Sequence, residues 1–329
     1  MQVLVAPAGF DRRLRATEVA AAIGRGLEAA GLEPPDLCPV ADGGPGTLEV
    51  LLTRLGGETL AASVGGRDGP GVDVGFGVIG DGSAAIVELA AIPSAPVSGG
   101  SPGSTGPGEG PAPPGRGARP VREAPRPGAL GDAPASSWAI GELILAGART
   151  GADVVIVAAG GAAADDGGAG LVAAIEEAGG LGGSRVVVLC PTRAHLAAGG
   201  RGHGCEPGGI GEILSRAFAA TIEPGAVFVL DAVGFDARMR AAQALIVGEG
   251  RLDVGALTGR VLGEAATRAR QAGIPAHAIV GRNRLDRFDA RILDLQEIVE
   301  AATLDEVTSA ARGLGRHIRP PGRLDDRVV

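Results

Sequence analysis

Lysine and tyrosine are missing from this 329-residue sequence altogether, and tryptophan occurs once. All 30 basic residues are arginine, which excludes both the lysine of a Walker-type phosphate loop and a lysine Schiff base. Cationic work must fall to arginine or to a metal ion. Aromatic residues make up only 2% of the chain, so Val, Leu, Ile and Ala have to build the core, and reading of nucleic acid through stacked rings is excluded. A formal net charge of −8 points the same way, because a nucleic-acid binder needs positive charge to displace counterions. Cysteine is scarce: Cys38, Cys190 and Cys205 are scattered and form no CxxC pair. No disulfide framework is expected, and a cytoplasmic location is. No apolar run approaches the ~20 residues needed to cross a bilayer, and the opening Met1 to Pro7 lacks the charged flank of a signal peptide.

What remains is aliphatic sequence and glycine. The chain is 45% hydrophobic with 58 glycines, and at this length it can bury the cores of two domains. The most informative stretch runs from Val154 to Gly170, where the apolar run Val154 to Ala158 stops in glycines that bracket Asp165 and Asp166. A run without polar alternation suits a strand covered on both faces, and ligands of such sheets sit at the carboxyl ends of the strands. Bare glycine N–H groups bind anions, while paired carboxylates repel a phosphate unless a divalent cation or a donor hydroxyl lies between. Phosphoryl chemistry and a plain strand-to-helix turn both fit this segment alone.

The arrangement recurs. Val3 to Ala6 is a strand, Thr17-Glu18 opens a helix that ends at Gly31, and Leu37 to Val40 is a second strand running into Ala41-Asp42-Gly43-Gly44-Pro45-Gly46-Thr47. Further on, Ala244 to Val247 reads as a strand delivering a third glycine-acid loop, Gly248-Glu249-Gly250-Arg251-Leu252-Asp253. Between them, Thr59 to Val64, Val72 to Ile79 and Ala84 to Leu89 are strands in an antiparallel or mixed sheet. Glu88 sits inside the last of these and needs either a partner, a function or a face turned to water. Residues 93–134 are Gly-, Pro-, Ser- and Arg-rich and read as a flexible linker or lid. Ser136-Ser137-Trp138 caps the helix that follows, and Ala226 to Val233 is ambiguous between helix and strand. Cys190, His195, His203 and Cys205 fit no familiar zinc spacing, so a plain loop is the expectation there.

Three such turns in this order resemble the type I glycerate kinase family. Val40-Ala41-Asp42-Gly43-Gly44-Pro45-Gly46-Thr47 is similar to that family's VADGGEGT, and Gly160 to Gly170 to its GGSATNDGGAG. Leu230 to Asp236 and Gly248 to Asp253 resemble its LDAxGFD and GEGRxD pair. The chain departs from the family's opening APDSFKGSL, with Ala8, Gly9 and Asp11 replacing acid, serine and lysine, and from its CDVxNPL segment at Cys190 to Leu196. The resemblance implies ATP, Mg²⁺ and D-glycerate, and an α/β fold of two α/β domains. One would be a doubly wound, mostly parallel Rossmann/flavodoxin-like domain built from 1–58 and 240–329, the other an inserted domain over 59–239 with a mixed sheet. It implies Asp42 and Asp166 as the central acids, one orienting the hydroxyl and one holding the metal. Glu249, Arg251 and Asp253 would line the cleft, with Arg251 the candidate partner of the substrate carboxylate or else in an internal ion pair. The N–H groups of Gly43, Gly44, Gly160, Gly161, Gly167 and Gly168 would serve as anion donors. Glu88, Ser137 and Arg12 complete the binding candidates, Arg12 or Arg13 supplying the charge of the absent lysine. The expected partner is a small hydroxy acid, with a homodimer left open. A relative that binds nucleotide or a small acid without turnover, and a phosphotransferase for another hydroxy acid, stay open beside an active glycerate kinase.

Overall fold

A computed structural model describes residues 2–10, 13–65, 71–93, 137–161, 166–191 and 209–318. In chain order the elements are β1 (Val3–Pro7), α1 (Ala16–Ala29), β2 (Asp36–Leu37), α2 (Thr47–Leu55), β3 (Gly57–Val64), β4 (Val72–Ile79), β5 (Ala84–Glu88), α3 (Ser137–Ala148), β6 (Val154–Ala158), α4 (Ala169–Glu177), β7 (Arg185–Cys190) and α5 (Ile210–Phe218). They continue with β8 (Thr221–Pro224), α6 (Gly225–Ala232), α7 (Phe235–Ala241), β9 (Ala244–Leu252), α8 (Val261–Ala272), β10 (Ala276–Asn283), α9 (Arg287–Ile292), β11 (Leu295–Glu300) and α10 (Leu304–Ile318).

The strands form two sheets. The first, in the order β11-β10-β9-β1-β2, comes from the two ends of the described chain and is parallel throughout. Its winding reverses between β1 and β9, the place where an open parallel sheet leaves a crevice at its strand ends. The second runs β3-β4-β5-β6-β7-β8, antiparallel at first and parallel from β5 onward, which is the mixed sheet that the glycine-punctuated strands predict. Val3–Pro7 and Val154–Ala158 are buried almost end to end, because helices cover both faces of each sheet. Helices α1 and α10 pack on one face of the parallel sheet through Ile23, Leu27, Val307 and Leu314. Helices α2 and α6 lie between the two sheets, so that Leu4 and Val247 share one core with Ile86, Ile156, Leu189, Leu51 and Leu230. A further core under α3, α4 and α5 covers the outer face of the mixed sheet.

Three sequence expectations change. The ambiguous segment after Gly225 is helix α6, since its apolar residues face two layers at once. The expected loop Gly248 to Leu252 is instead the second half of β9, held by pairing of Glu249 with Val280 and Leu252 with Asn283; its glycines allow the backbones of Gly250 and Gly281 to approach closely. Cys190 is disulfide-bonded, whereas Cys38 is a free thiol. Spacing along the chain says nothing about which cysteines the fold brings together.

The acids of the Leu230–Asp236 motif turn out to be scaffolding. Arg268 of α8 is largely covered and bonds Asp231 at 2.7 Å, Asp236 at 3.1 Å and Glu264 at 3.1 Å, tying α6 and α7 to α8. Arg268→Ala removes the bonds that tie α6 and α7 to α8 and is expected to cost about 2 kcal/mol, discounted for the solvent that screens Asp231 and Asp236. Denaturant unfolding checks it. Among the described residues no helix is long and apolar enough to cross a membrane.

Candidate active site

The strand ends of the two sheets meet at glycines. After β2, the chain extends along β1 through Cys38 N–H to Val5 O and Val40 N–H to Pro7 O, and then turns at Asp42-Gly43-Gly44. After β6, it arrives at Gly160, whose N–H donates to Gly43 O at 2.9 Å. No side chain fits at this crossing. A Cβ on Gly160 would stand 2.6 Å from Gly44 Cα, and one on Gly43, which has φ +90°, would stand 2.8 Å from Leu189 O. One glycine of each motif, Gly43 and Gly160, is therefore explained by a close approach of backbone.

Asp42 sits at this junction with a narrow opening to solvent. One carboxylate oxygen lies 3.3 Å from Gly44 N, and burial raises the carboxyl above its usual value against the opposing charge of Arg260. Glu249, in the second half of β9, is 7% accessible, and its Oε1 has no hydrogen-bond partner. Burial, with Asp42 and Asp253 nearby, pushes it up to about 8 despite Arg260 and Arg251. Asp253 accepts from Arg251 Nε at 2.7 Å and from Gly255 N at 2.9 Å, and Arg260 Nη1 stands 3.4 Å from its other side. Asp42, Glu249, Asp253, Arg251 and Arg260 thus form one electrostatically linked group.

Asp166 belongs to a different constellation. Its carboxylate accepts from the Ser137 hydroxyl, from Gly168 N at 2.9 Å and from Gly170 N at 3.1 Å, and Ser137 Oγ in turn accepts from Leu171 N at 3.0 Å. Burial would raise this carboxyl, but the three hydrogen bonds outweigh it and hold it below its usual value. Asp166 and Ser137 thereby fasten the start of α3 to the start of α4. Glu88 acts in a comparable way, because its Oε2 accepts from Gly46 N at 2.9 Å and Leu48 N at 3.2 Å and so caps α2. Four of the six expected anion donors are already bonded inside the protein, Gly43 N to Thr47 Oγ1, Gly44 N to Asp42, Gly160 N to Gly43 O and Gly168 N to Asp166. Gly161 and Gly167 lie at the exposed lip of their loop. Arg12, Asp165, His195, His203, Cys205 and the 94–136 stretch lie outside the described residues. Arg13 has an exposed side chain and closes a turn through its N–H on Phe10 O.

Arg260 is the site residue that the motifs do not reveal. Its place directly before a helix does not single it out, since Arg15 stands in the same way before α1.

A parallel and a mixed sheet, each covered by helices and with acid-bearing turns at abutting strand ends, define an α/β protein of two sheets. Within that class, the chain belongs to the glycerate kinase family, whose model matches residues 3–97, 126–179 and 190–315. It is 40% identical over 93 residues to a glycerate kinase of Bacillus subtilis (strain 168), a stretch that is 28% of this chain and 24% of that protein. It is 37% identical over 92 residues to glycerate 2-kinase of Escherichia coli (strain K12), again 28% and 24% of the two chains. The matched stretch thus spans about a quarter of the length of these relatives. An uncharacterized protein of Mycobacterium bovis matches more broadly, at 31% identity over 317 residues, covering 88% of this chain and 81% of its own. A crystal structure provisionally assigned as glycerate kinase 2 from Salmonella typhimurium LT2 has the same fold, with a TM-score of 0.67, 22% identity, and coverage of 96% and 98% of the two chains.

Proposed function

We propose that the protein transfers the terminal phosphoryl group of ATP to a hydroxyl of a small hydroxy acid, D-glycerate in the first instance. The observation that carries this reading is Asp42, a carboxylate of raised pKa placed where the backbone turns of the two sheets lock together. Phosphoryl transfer asks a protein mainly to position groups and neutralise charge, with one acceptor for the hydroxyl proton. Asp42 supplies the acceptor, since a raised pKa makes it the stronger base. Asp166 acts through its loop, fixing Gly168 and Gly170 and leaving Gly161 and Gly167 at the lip for phosphate oxygens.

The family implies Mg²⁺, which needs hard oxygens and settles for one or two carboxylates when phosphates complete its shell. Asp166 fits that demand, because its carboxyl is held below its usual value and its Oδ1 accepts only the Gly168 N–H among the described residues. Bound there, it would neutralise charge on the phosphoryl group and leave Asp42 to take the hydroxyl proton. The cleft would lie between the domain of 1–58 with 240–329, which carries the parallel sheet, and that of 59–239, which carries the mixed sheet apart from the first residues of β3.

The test is a coupled assay of purified protein with ATP, Mg²⁺ and a panel of hydroxy acids. ADP should form in proportion to phosphoglycerate with D-glycerate, and Asp42→Asn should lower kcat by about 10²-fold or more. Faster turnover of another hydroxy acid would reassign the substrate. The replaced opening segment around Ala8 and Gly9 favours one rival, a relative that binds without turnover. That rival requires thermal stabilisation by ATP or D-glycerate with no ADP formed.

A further inference from the structure

Arg260 stands out because its donors are unspent. Its guanidinium offers five N–H groups, yet among the described residues its side chain makes only the 3.4 Å ion pair with Asp253 and no hydrogen bond. Its side chain is 31% exposed. It is nonetheless the leading positive charge acting on both Asp42 and Glu249. Arg251 is the reverse case: 58% exposed, with Nε already committed to Asp253 at 2.7 Å. The placement of Arg260 is constrained. It is the N-cap of α8, and its Nε and Cζ lie 2.8 and 2.9 Å from where a Cβ on Gly255 would be, with Asp253 Oδ1 at 2.9 Å, so a side chain at position 255 would push the guanidinium and its partner carboxylate aside.

We propose that Arg260 binds the carboxylate of the hydroxy-acid substrate and that Glu249 takes its neighbouring hydroxyl, making this pair the specificity-determining seat. The inference rests on the kinase reading above. Glu249 Oε1 is buried with no partner, a cost that a ligand bearing a hydroxyl removes. Nucleotide phosphates lack that group at neutral pH, since their oxygens carry charge and few protons to give. A small acid with carboxylate and hydroxyl on adjacent carbons supplies both halves, an anion for the fork of Arg260 and a donor for Glu249. The N-terminus of α8 adds its partial positive charge on the same side.

The experiment is steady-state kinetics on Arg260→Met, Arg260→Lys and Gly255→Ala, with hydroxy acid and ATP varied separately. Charge-assisted hydrogen bonds of this kind correspond to roughly a 10- to 100-fold change in affinity. Arg260→Met should raise KM for D-glycerate by that factor and leave KM for ATP within about twofold. Lysine should restore part of it, because it keeps charge but loses the fork. Gly255→Ala keeps Arg260 and displaces its guanidinium, so it should move the same constant the same way even where Arg260→Met folds poorly. Glycerate-dependent thermal stabilisation, read without turnover, should weaken in parallel. A rise in KM for ATP instead, or unchanged constants in the folded variants, would overturn the seat while leaving the kinase reading intact. Absence of both turnover and glycerate stabilisation in the unaltered protein would remove the kinase reading itself, and this proposal with it.

Discussion

Alanine at position 225 is expected to lower turnover by about 10²-fold or more and to cost about 3 kcal/mol of stability or more. The Cβ of Gly225→Ala would fall on the carbonyl oxygen of Asp42, far inside contact distance, and 2.8 Å from Gly43 N. Both obstacles are backbone, so no side-chain rotation relieves the clash. Helix α6 has little room to retreat, because Val229 and Leu230 are fully buried between the layers. The turn has little room to move either, with Gly43 pressed on Leu189 and bonded through its carbonyl to Gly160 N. Whatever yields, Asp42 moves, and a displacement near 1 Å at a reacting group is enough to cost about 10²-fold in rate. Gly313→Ala is the control: it lies within α10 with nothing near its missing side chain, and it should be neutral or stabilise by up to about 1 kcal/mol. Denaturant unfolding and the coupled assay read both variants. If Gly225→Ala unfolds and turns over like the unaltered protein, α6 does not support the Asp42 turn.

The parts of this molecule that the sequence displays are those whose local pattern and tertiary setting agree. Val154 to Ala158 is a strand because an unbroken apolar run has one comfortable place, the middle of a covered parallel sheet. The Asp42 and Asp166 turns are visible because glycines after a strand have few other uses. The roles of their groups are not visible, since a motif shows which residue is present and not which lone pair is already taken. Asp166 and Glu88 look alike as isolated acids, and both proved to be acceptors for backbone N–H groups and, at Asp166, a serine. Gly248 to Leu252 misleads for the opposite reason: glycines and charges read as a turn, but the segment is a strand paired with β10. Arg260 belongs to no distinctive local pattern, and its significance comes from residues at positions 42, 249 and 253 that only the fold assembles.

Glu249 makes the stability of the ligand-free protein depend on pH in a direction opposite to most carboxylates. Its folded pKa, near 8, lies above the ordinary value of 4.5, so folding favours the protonated form. Below about pH 4.5 both folded and unfolded chains carry the proton, and the stabilisation is fully present. Between that point and pH 8 the unfolded chain has released a proton that the folded chain retains, and stability falls by about 1.36 kcal/mol per pH unit. Above about pH 8 the folded protein must hold an ionised, buried carboxylate. Glu249→Gln keeps the shape and removes the titration, while ionisable groups outside its electrostatically linked neighbours are common to both proteins and cancel in the comparison. The stability of the unaltered protein relative to the variant should therefore drop by about 4 kcal/mol between pH 5 and pH 9. Metal-free denaturant unfolding at the two pH values measures it, and a difference constant to within about 1 kcal/mol would show that Glu249 is ionised already at pH 5. Adding D-glycerate should shrink the drop relative to propionate, since both place a carboxylate on Arg260 and only D-glycerate donates a hydroxyl to Oε1, which stabilises the charged carboxylate. A ligand that binds without touching Glu249 would stabilise the protein equally at both pH values, so the same titration distinguishes a hydroxyl seated on Glu249 from one seated elsewhere in the cleft.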